Sequence, residues 1–355
     1  MDLDSVLRNY DRRDWETEAE GTVRLAVVGV GGFARHVALP AIRSAASAEL
    51  ALLVTGSPEA TASVAEEYDV PTIDYEAYAA GEMVDRYDAV YVVTPNTLHL
   101  PQVETAAELG KHVICEKPLE ATVERAERLV DACADAGVTL MTAYRMQADP
   151  VMRRLRAFLA DGGLGRIATL HGDFTYPVLG GSRGRDQWRL DPELAGGGAL
   201  ADIGVYPLNT ARFVLRADPV SATGLTAGEG AFADVDETVA FLVEFPDGVS
   251  GAFSASFTGP TDTRLAISGS QGRIEVEHAF QPGADRTLHV TTEDGTATYD
   301  GLTSDEVREQ FEYFAHCVLT DREPEPDGRD GLVDMRAMAE VYRTAGTAVP
   351  MAESS

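Results

Sequence analysis

The run Val23-Arg-Leu-Ala-Val-Val28 passes without a break into Gly29-Val-Gly31-Gly32-Phe33-Ala34-Arg35, so an apolar strand delivers the pattern G-x-G-x-x-A at a strand-to-helix turn. Each small residue there answers to a geometric demand. Gly29 permits the tight turn, Gly31 lets a pyrophosphate approach the backbone, and Ala34 lets the helix close on the strand. The phosphates would meet unpaired N–H groups at the positive end of the helix dipole, with Gly32, Phe33 and Arg35 alongside. A lone glycine triplet says little, but this one begins a sustained alternation. Short apolar runs follow at 50–55, 89–94, 112–116 and 139–144, with helical patterns between them. Before the last of these, Val123, Ala126, Val130 and Cys133 recur at helical spacing and Gly137 stops the helix. Residues 23–146 are therefore expected to form a doubly wound parallel sheet of the α/β class, built to bind a dinucleotide.

From residue 166 the period shifts towards two. Strands are expected at 167–176, 238–245, 251–257, 264–269, 273–277 and 287–292, separated by Pro, Gly and Asp turns. They predict a mostly antiparallel sheet with one open face in a second, α+β domain spanning 147–355. Asp149-Pro150 opens its first helix, with Val151, Leu155 and Leu159 on one face and Gly162 at its end, and helical patterns at 304–319 and 331–345 close the chain. An apolar open face seldom stays wet, so a homodimer or homotetramer through this sheet is expected. Residues 1–22 are polar, with Val6, Leu7, Tyr10 and Trp15 as apolar points, and read as an arm lying on another surface.

Charge excludes several partners. The chain carries 58 acidic against 29 basic residues, a net −29 spread along its length, which argues against nucleic acid and anionic membranes. Such self-repulsion opposes compaction in dilute buffer, so dispersed carboxylates and only two lysines predict a protein adapted to high salt. No run of about 18 apolar residues occurs, and the amino terminus lacks the basic start and apolar core of a signal peptide, so a cytoplasmic location is expected. Cys115, Cys133 and Cys317 have no metal-ligand spacing; buried thiols and no metal site are expected.

One of the two lysines, Lys117, stands in His112-Val-Ile-Cys-Glu116-Lys117-Pro118, at the carboxyl end of an expected strand, where open α/β sheets bind ligands. A lysine in a surface loop is the plainer alternative. At the end of the second strand, where a carboxylate would grip the ribose of NAD, stands Thr55-Gly56-Ser57. Neutral donors at Ser57 and Thr61, with Arg35, suit the 2′-phosphate of NADP; if Glu59 takes the acid's role, NAD is bound instead. Thr94-Pro95-Asn96 would lie beside the phosphate-binding turn, with Asn96 and Thr97 equally suited to cap a helix, and His99 to packing or to ligand contact. In Gly196-Gly-Gly-Ala-Leu-Ala-Asp202-Ile-Gly-Val-Tyr206, the glycines allow close approach to a ligand or to the other domain. Asp202 and Tyr206, four residues apart, would share a helix face, unless the helix is packed there for structural reasons alone.

Glycine turn, Thr94-Pro95-Asn96, Glu116-Lys117-Pro118 and Asp202-x-Gly204-x-Tyr206 follow in an order and at a spacing that resemble the glucose–fructose oxidoreductase, inositol dehydrogenase and MocA family, from Val23 almost to the carboxyl terminus. Many members have histidine where this chain has Tyr206. The tyrosine, with Asn209 after it, is similar to the branch holding glucose–fructose oxidoreductase, dimeric dihydrodiol dehydrogenase and NADP-dependent pentose dehydrogenases, and the resemblance implies that both residues contact the substrate. Within that branch, the segment from Asp4 to Tyr10, Arg13-Asp14-Trp15 and the acidic composition resemble the haloarchaeal D-xylose-oxidising members. The resemblance implies oxidation of a sugar hydroxyl beside the nicotinamide of NADP, with Lys117 and Tyr206 near the reacting carbon. Tyr206 is then the general base, Lys117 tunes it and holds the hydroxyl, and Asp202 orients Lys117 or the sugar. Glu116 faces the cofactor, and Trp188 and Arg189 form a sugar-stacking wall. The specific expectation is oxidation of the C1 hydroxyl of an aldopentose, D-xylose first. The alternatives are another sugar or a dihydrodiol, a glucose–fructose type reaction with retained NADP, and a non-catalytic dinucleotide sensor.

Overall fold

The computed structural model describes residues 10, 11, 13–15, 19–180 and 184–353. Strands β1 (Val23–Val28), β2 (Ala48–Val54), β3 (Thr72–Ile73), β4 (Ala89–Val92), β5 (His112–Cys115) and β6 (Leu140–Thr142) form one sheet in the order β3-β2-β1-β4-β5-β6. Every pairing in it is parallel. Because β1 pairs with both β2 and β4, the strand order reverses beside it, and the crevice at that reversal is where doubly wound sheets receive their ligand. Gly29 sits there with φ of +100°, and a Cβ on it would come within 2.8 Å of the Val93 carbonyl, so the turn can be closed only by glycine. The helix that follows opens with a π turn at Ala34–Ala38 before Leu39–Ser44. Pro40, which has no N–H to give to the turn before it, accounts for that widening.

The second sheet runs β14-β13-β12-β11-β7-β10-β9-β8, from β7 (Ile167–Thr175), β8 (Ser221–Ala227), β9 (Thr238–Glu244), β10 (Ser250–Ser256), β11 (Asp262–Gly269), β12 (Gly272–Glu277), β13 (Arg286–Thr292) and β14 (Gly295–Leu302). Only β7 and β10 pair in parallel. Along β9 buried and exposed residues alternate, so one face carries helices and the other is open, with Leu225 and Leu242 standing out from it. The helix Pro150–Ala160 starts as expected, its Asp149 side chain accepting from the Met152 N–H.

Two features bind the sheets into one body. The helix Glu306–Leu319 follows the second sheet in sequence but returns to the first, where Phe311 meets Tyr91 edge-on at 5.1 Å and Phe314 joins the core under β1. Trp15 lies in the same core, with its ring 5.1 Å from Tyr313, so the described part of the arm packs on its own chain; Val6 and Leu7 fall outside the described residues. The three glycines form the second tie. A Cβ on Gly196, Gly197 or Gly198 would strike the Ala121 carbonyl, the Tyr342 hydroxyl or the Asp236 carbonyl at 2.2, 2.3 and 2.1 Å. Their close approach is thus to other protein segments, Ala121 among them from the first domain. Cys115, Cys133 and Cys317 are buried free thiols. Among the described residues no helix is long and apolar enough to cross a membrane.

Candidate active site

Lys117 follows β5 directly, and the peptide bond to Pro118 is cis. Its Nζ donates to the Asp202 backbone carbonyl at 2.6 Å and to Asp202 Oδ1 at 3.4 Å, and lies 4.9 Å from the centre of the Tyr206 ring. The two sequence-derived centres of chemistry therefore meet across the domain boundary. The element that brings Asp202 and Tyr206 to Lys117 is a π turn, Leu200–Gly204, leading into the helix Val205–Leu215. As in the first domain, where Pro40 stands two residues past the turn, a proline without an N–H to return follows here, Pro207 three residues past it.

Asp202 also accepts from Arg189 Nε at 2.9 Å, and the Arg189 guanidinium lies 4.5 Å over the Trp188 ring. Burial alone would push the Asp202 carboxyl up, but Arg189 and Lys117 outweigh it and hold it below the usual carboxylate range. The carboxylate is thus an ionised clamp between two cations. Glu116 accepts from the Tyr91 hydroxyl at 2.6 Å and from the Lys117 N–H at 3.3 Å. Burial, then the Glu116 charge, pushes the Tyr91 phenol well above its ordinary range, so it stays a donor.

Four expected site residues make contacts within the protein. His99 is fully buried, with Nδ1 at 3.1 Å from the Leu119 carbonyl and Nε2 at 3.0 Å from that of Thr94, so the ring sits between two loops and its N–H has a backbone carbonyl on either side to choose from. Asn209 is buried, giving its amide to Asp334 at 2.7 Å and taking one from Gln147 at 3.2 Å; it serves the packing of the last helix, not a sugar. Asn96 is buried too and donates to the Ala195 carbonyl at 2.9 Å, which ties the first domain to the glycine segment. Thr61 likewise turns inward, its hydroxyl on the Ser57 carbonyl at 3.0 Å.

Arg145 is the group that sequence reading missed. It follows β6 at the same sheet edge as Lys117, the criterion that could have found it. Its Nε donates to the Tyr206 hydroxyl at 3.2 Å and its guanidinium lies 4.6 Å over the same ring. Phe174 and Phe280 stand 5.3 and 6.3 Å from that ring and 6.1 Å from each other, so the three rings form one cluster.

The residues at the crevice fit a dinucleotide. Gly31 and Gly32 are exposed and a Cβ on either would meet nothing within 4 Å, so the backbone of the turn is open to a large anion. Thr94 Oγ1, beside it, is buried with no hydrogen-bond partner among the described residues. Arg35 reaches from the Val30 carbonyl at 3.0 Å to that of Ala60 at 3.3 Å, bridging the glycine turn and the segment after β2, while Ser57 is exposed beside that segment.

Known proteins share the sequence pattern and the fold. The sequence pattern of the oxidoreductase family with an NAD-binding Rossmann fold matches residues 23–144, and that of the GFO/IDH/MocA C-terminal domain matches 152–275. The chain is 45% identical over 353 residues, 98% of each protein, to D-xylose 1-dehydrogenase [NADP(+)] of Haloarcula marismortui. It is 33% identical to D-xylose 1-dehydrogenase (NADP(+)) 2 of Haloferax volcanii, over 90% of this chain and 97% of that one. In three dimensions it superimposes on the crystal structure of aldose–aldose oxidoreductase from Caulobacter crescentus with a TM-score of 0.86 and 32% identity, covering 92% of this chain and 98% of the other. The chain therefore belongs to the GFO/IDH/MocA family of oxidoreductases.

Proposed function

We propose that the protein oxidises the C1 hydroxyl of an aldopentose, D-xylose first, to the lactone with NADP as acceptor. The observation that carries this reading is the meeting of Lys117 and Tyr206 from separate domains at the edge that carries the glycine turn. The similarity to two NADP-dependent xylose dehydrogenases supports the substrate and the cofactor. Gly29, Gly31, Gly32, Phe33 and Ala34 would hold the pyrophosphate, Ser57 and Arg35 the 2′-phosphate, and Thr94, Pro95 and Glu116 the nicotinamide side. When bound, the cofactor supplies the hydride acceptor. The chain's own work is with the proton. As the C–H electron pair leaves the anomeric carbon, its hydroxyl must lose a proton or a charged oxocarbon remains, and Tyr206 as phenolate is the base that takes it. Free tyrosine has a pKa near 10, so ionisation near neutrality needs adjacent cations. Lys117 supplies one and Asp202 fixes its position, while Trp188 and Arg189 wall the sugar. The dispersed acidity supports a salt-adapted cytoplasmic enzyme, and the open sheet face a homodimer or homotetramer.

The test is purified protein in molar KCl with NADP and a panel of aldoses, followed by nicotinamide absorbance. Reduction fastest with D-xylose is expected; no signal with any pentose would defeat the assignment. The fold similarity to an aldose–aldose oxidoreductase favours a second reading, dismutation of sugars on retained NADP. Lactone formed in step with sugar alcohol, without added NADP, would select it.

A further inference from the structure

The cation that hydrogen-bonds the phenol oxygen of Tyr206 is not Lys117. Lys117 Nζ is committed to Asp202, through the backbone carbonyl at 2.6 Å and Oδ1 at 3.4 Å, and reaches Tyr206 only as a charge 4.9 Å from the ring centre. The donor into the oxygen is Arg145 Nε at 3.2 Å. We propose that Arg145 is a positioning residue of the reaction, a permanent cation that donates to the Tyr206 oxygen, favours its charged form and turns its free lone pairs away from itself. This rests on Tyr206 as the base in the proposed oxidation and names what keeps it one.

Three observations carry it. Arg145 is 3% exposed, and its other arms are anchored by Glu306 at 2.5 Å and by the Phe280 carbonyl, so the guanidinium keeps one orientation. A guanidinium does not deprotonate in proteins, so it donates to the oxygen in either protonation state of the phenol and favours the charged one. The groups facing Tyr206 are few. Among the described residues, besides Arg145 from the segment after β6, they are Lys117 from the loop after β5, Tyr91 from β4, and Asp202 from the turn that leads into its own helix; Glu306 and Glu116 act through Arg145, and Phe174 of β7 packs with Phe280 against the ring. Among these the direct contact to the oxygen is Arg145. The step balances without it: the sugar hydroxyl proton passes to the Tyr206 oxygen, the anomeric hydride passes to the cofactor, and the carbonyl forms between them.

The experiment reads the phenol itself. Protein carrying tyrosine labelled with ¹³C at Cζ is titrated by NMR, and the Tyr206 resonance is assigned as the one missing in Tyr206→Phe. In Arg145→Met the Tyr206 titration is expected to move up by about one unit or more, which is about tenfold in phenolate at a given pH. The acid limb of the kcat profile for oxidation should move up with it, while KM changes little. Because Arg145→Met leaves Glu306 short of a partner, Arg145→Gln paired with Glu306→Gln serves as the second variant, and the same upward move is expected. An unchanged Tyr206 titration in either folded variant overturns the proposal. The titration needs no turnover, so wild-type protein inactive on every aldose would defeat the proposed function while leaving this result readable.

Discussion

Two ionic clusters lie along the helix Val205–Leu215, one under Tyr206 and one around Asn209, and they are built differently. Under Tyr206, Arg145 and Arg286 face Glu306 and Asp149: Arg145 meets Glu306 at 2.5 Å and Arg286 meets Asp149 at 3.0 Å and Glu306 at 3.8 Å, all four being 4% exposed or less. Around Asn209, one cation serves three carboxylates, Arg212 lying 2.9 Å from Asp334, 3.0 Å from Asp330 and 2.6 Å from Asp218. Where cations match carboxylates, a guanidinium is left in fixed charged form beside the reacting phenol. Where acids are in excess, burial first and then Asp330 raise the Asp334 carboxyl to about 6 despite Arg212, so the cluster holds protons that a catalytic cluster could not spare.

The largest expected break in this contrast is Arg286→Met. It strands Asp149, which is fully buried, and partly strands Glu306; loss of one partner from such a pair costs about 3–5 kcal/mol. Urea midpoints at fixed salt measure it, and a midpoint like that of the wild type would mean the cluster is not matched as described.

Asp334→Asn gives the smaller effect, and its sign is opposite to that of an ordinary salt-bridged acid. With a folded pKa of about 6 against the ordinary 3.8 of an aspartate, the native state holds a proton that the unfolded chain releases. Stability from this group is therefore fully present below about pH 4 and is lost as pH rises through about 6. Replacing it should flatten the fall in stability between pH 4 and 6, by roughly 1–3 kcal/mol. Thermal melting across that range reads it; an unchanged slope would assign the titration elsewhere.

The first sheet was legible because its strands are buried on both faces and so read as apolar runs; β1 begins and ends where the pattern does. β3, of two residues, is too short to leave a pattern. β8 and β14 escaped for another reason: they are the outermost strands of the second sheet, rich in Gly, Thr and Ser and largely exposed, so no apolar alternation marks them. The return of Glu306–Leu319 to the first domain was likewise invisible, since periodicity tells that a helix is amphipathic and not which sheet its face will cover. The same distinction runs through the site. Lys117 stood out by rarity and by its place at a strand end, and Tyr206 by its spacing from Asp202 and by family resemblance. His99 stood open between packing and ligand contact, and Asn209 was expected at the substrate, because helix spacing gives neighbours but not which direction is core. Arg145 stood one residue past a tyrosine in a segment read only as a junction, and its partners, Glu306 and Phe280, lie more than a hundred residues away in the chain.

The joint use of Lys117 and Tyr206 on one carbon is tested most directly by Lys117→Ala, assayed for turnover of D-xylose alongside equilibrium binding of NADP. Turnover should fall by about 10²-fold or more while NADP affinity stays close to that of the wild type. Full turnover in that variant, or loss of NADP binding in step with activity, would contradict a lysine that tunes the Tyr206 base and holds the hydroxyl.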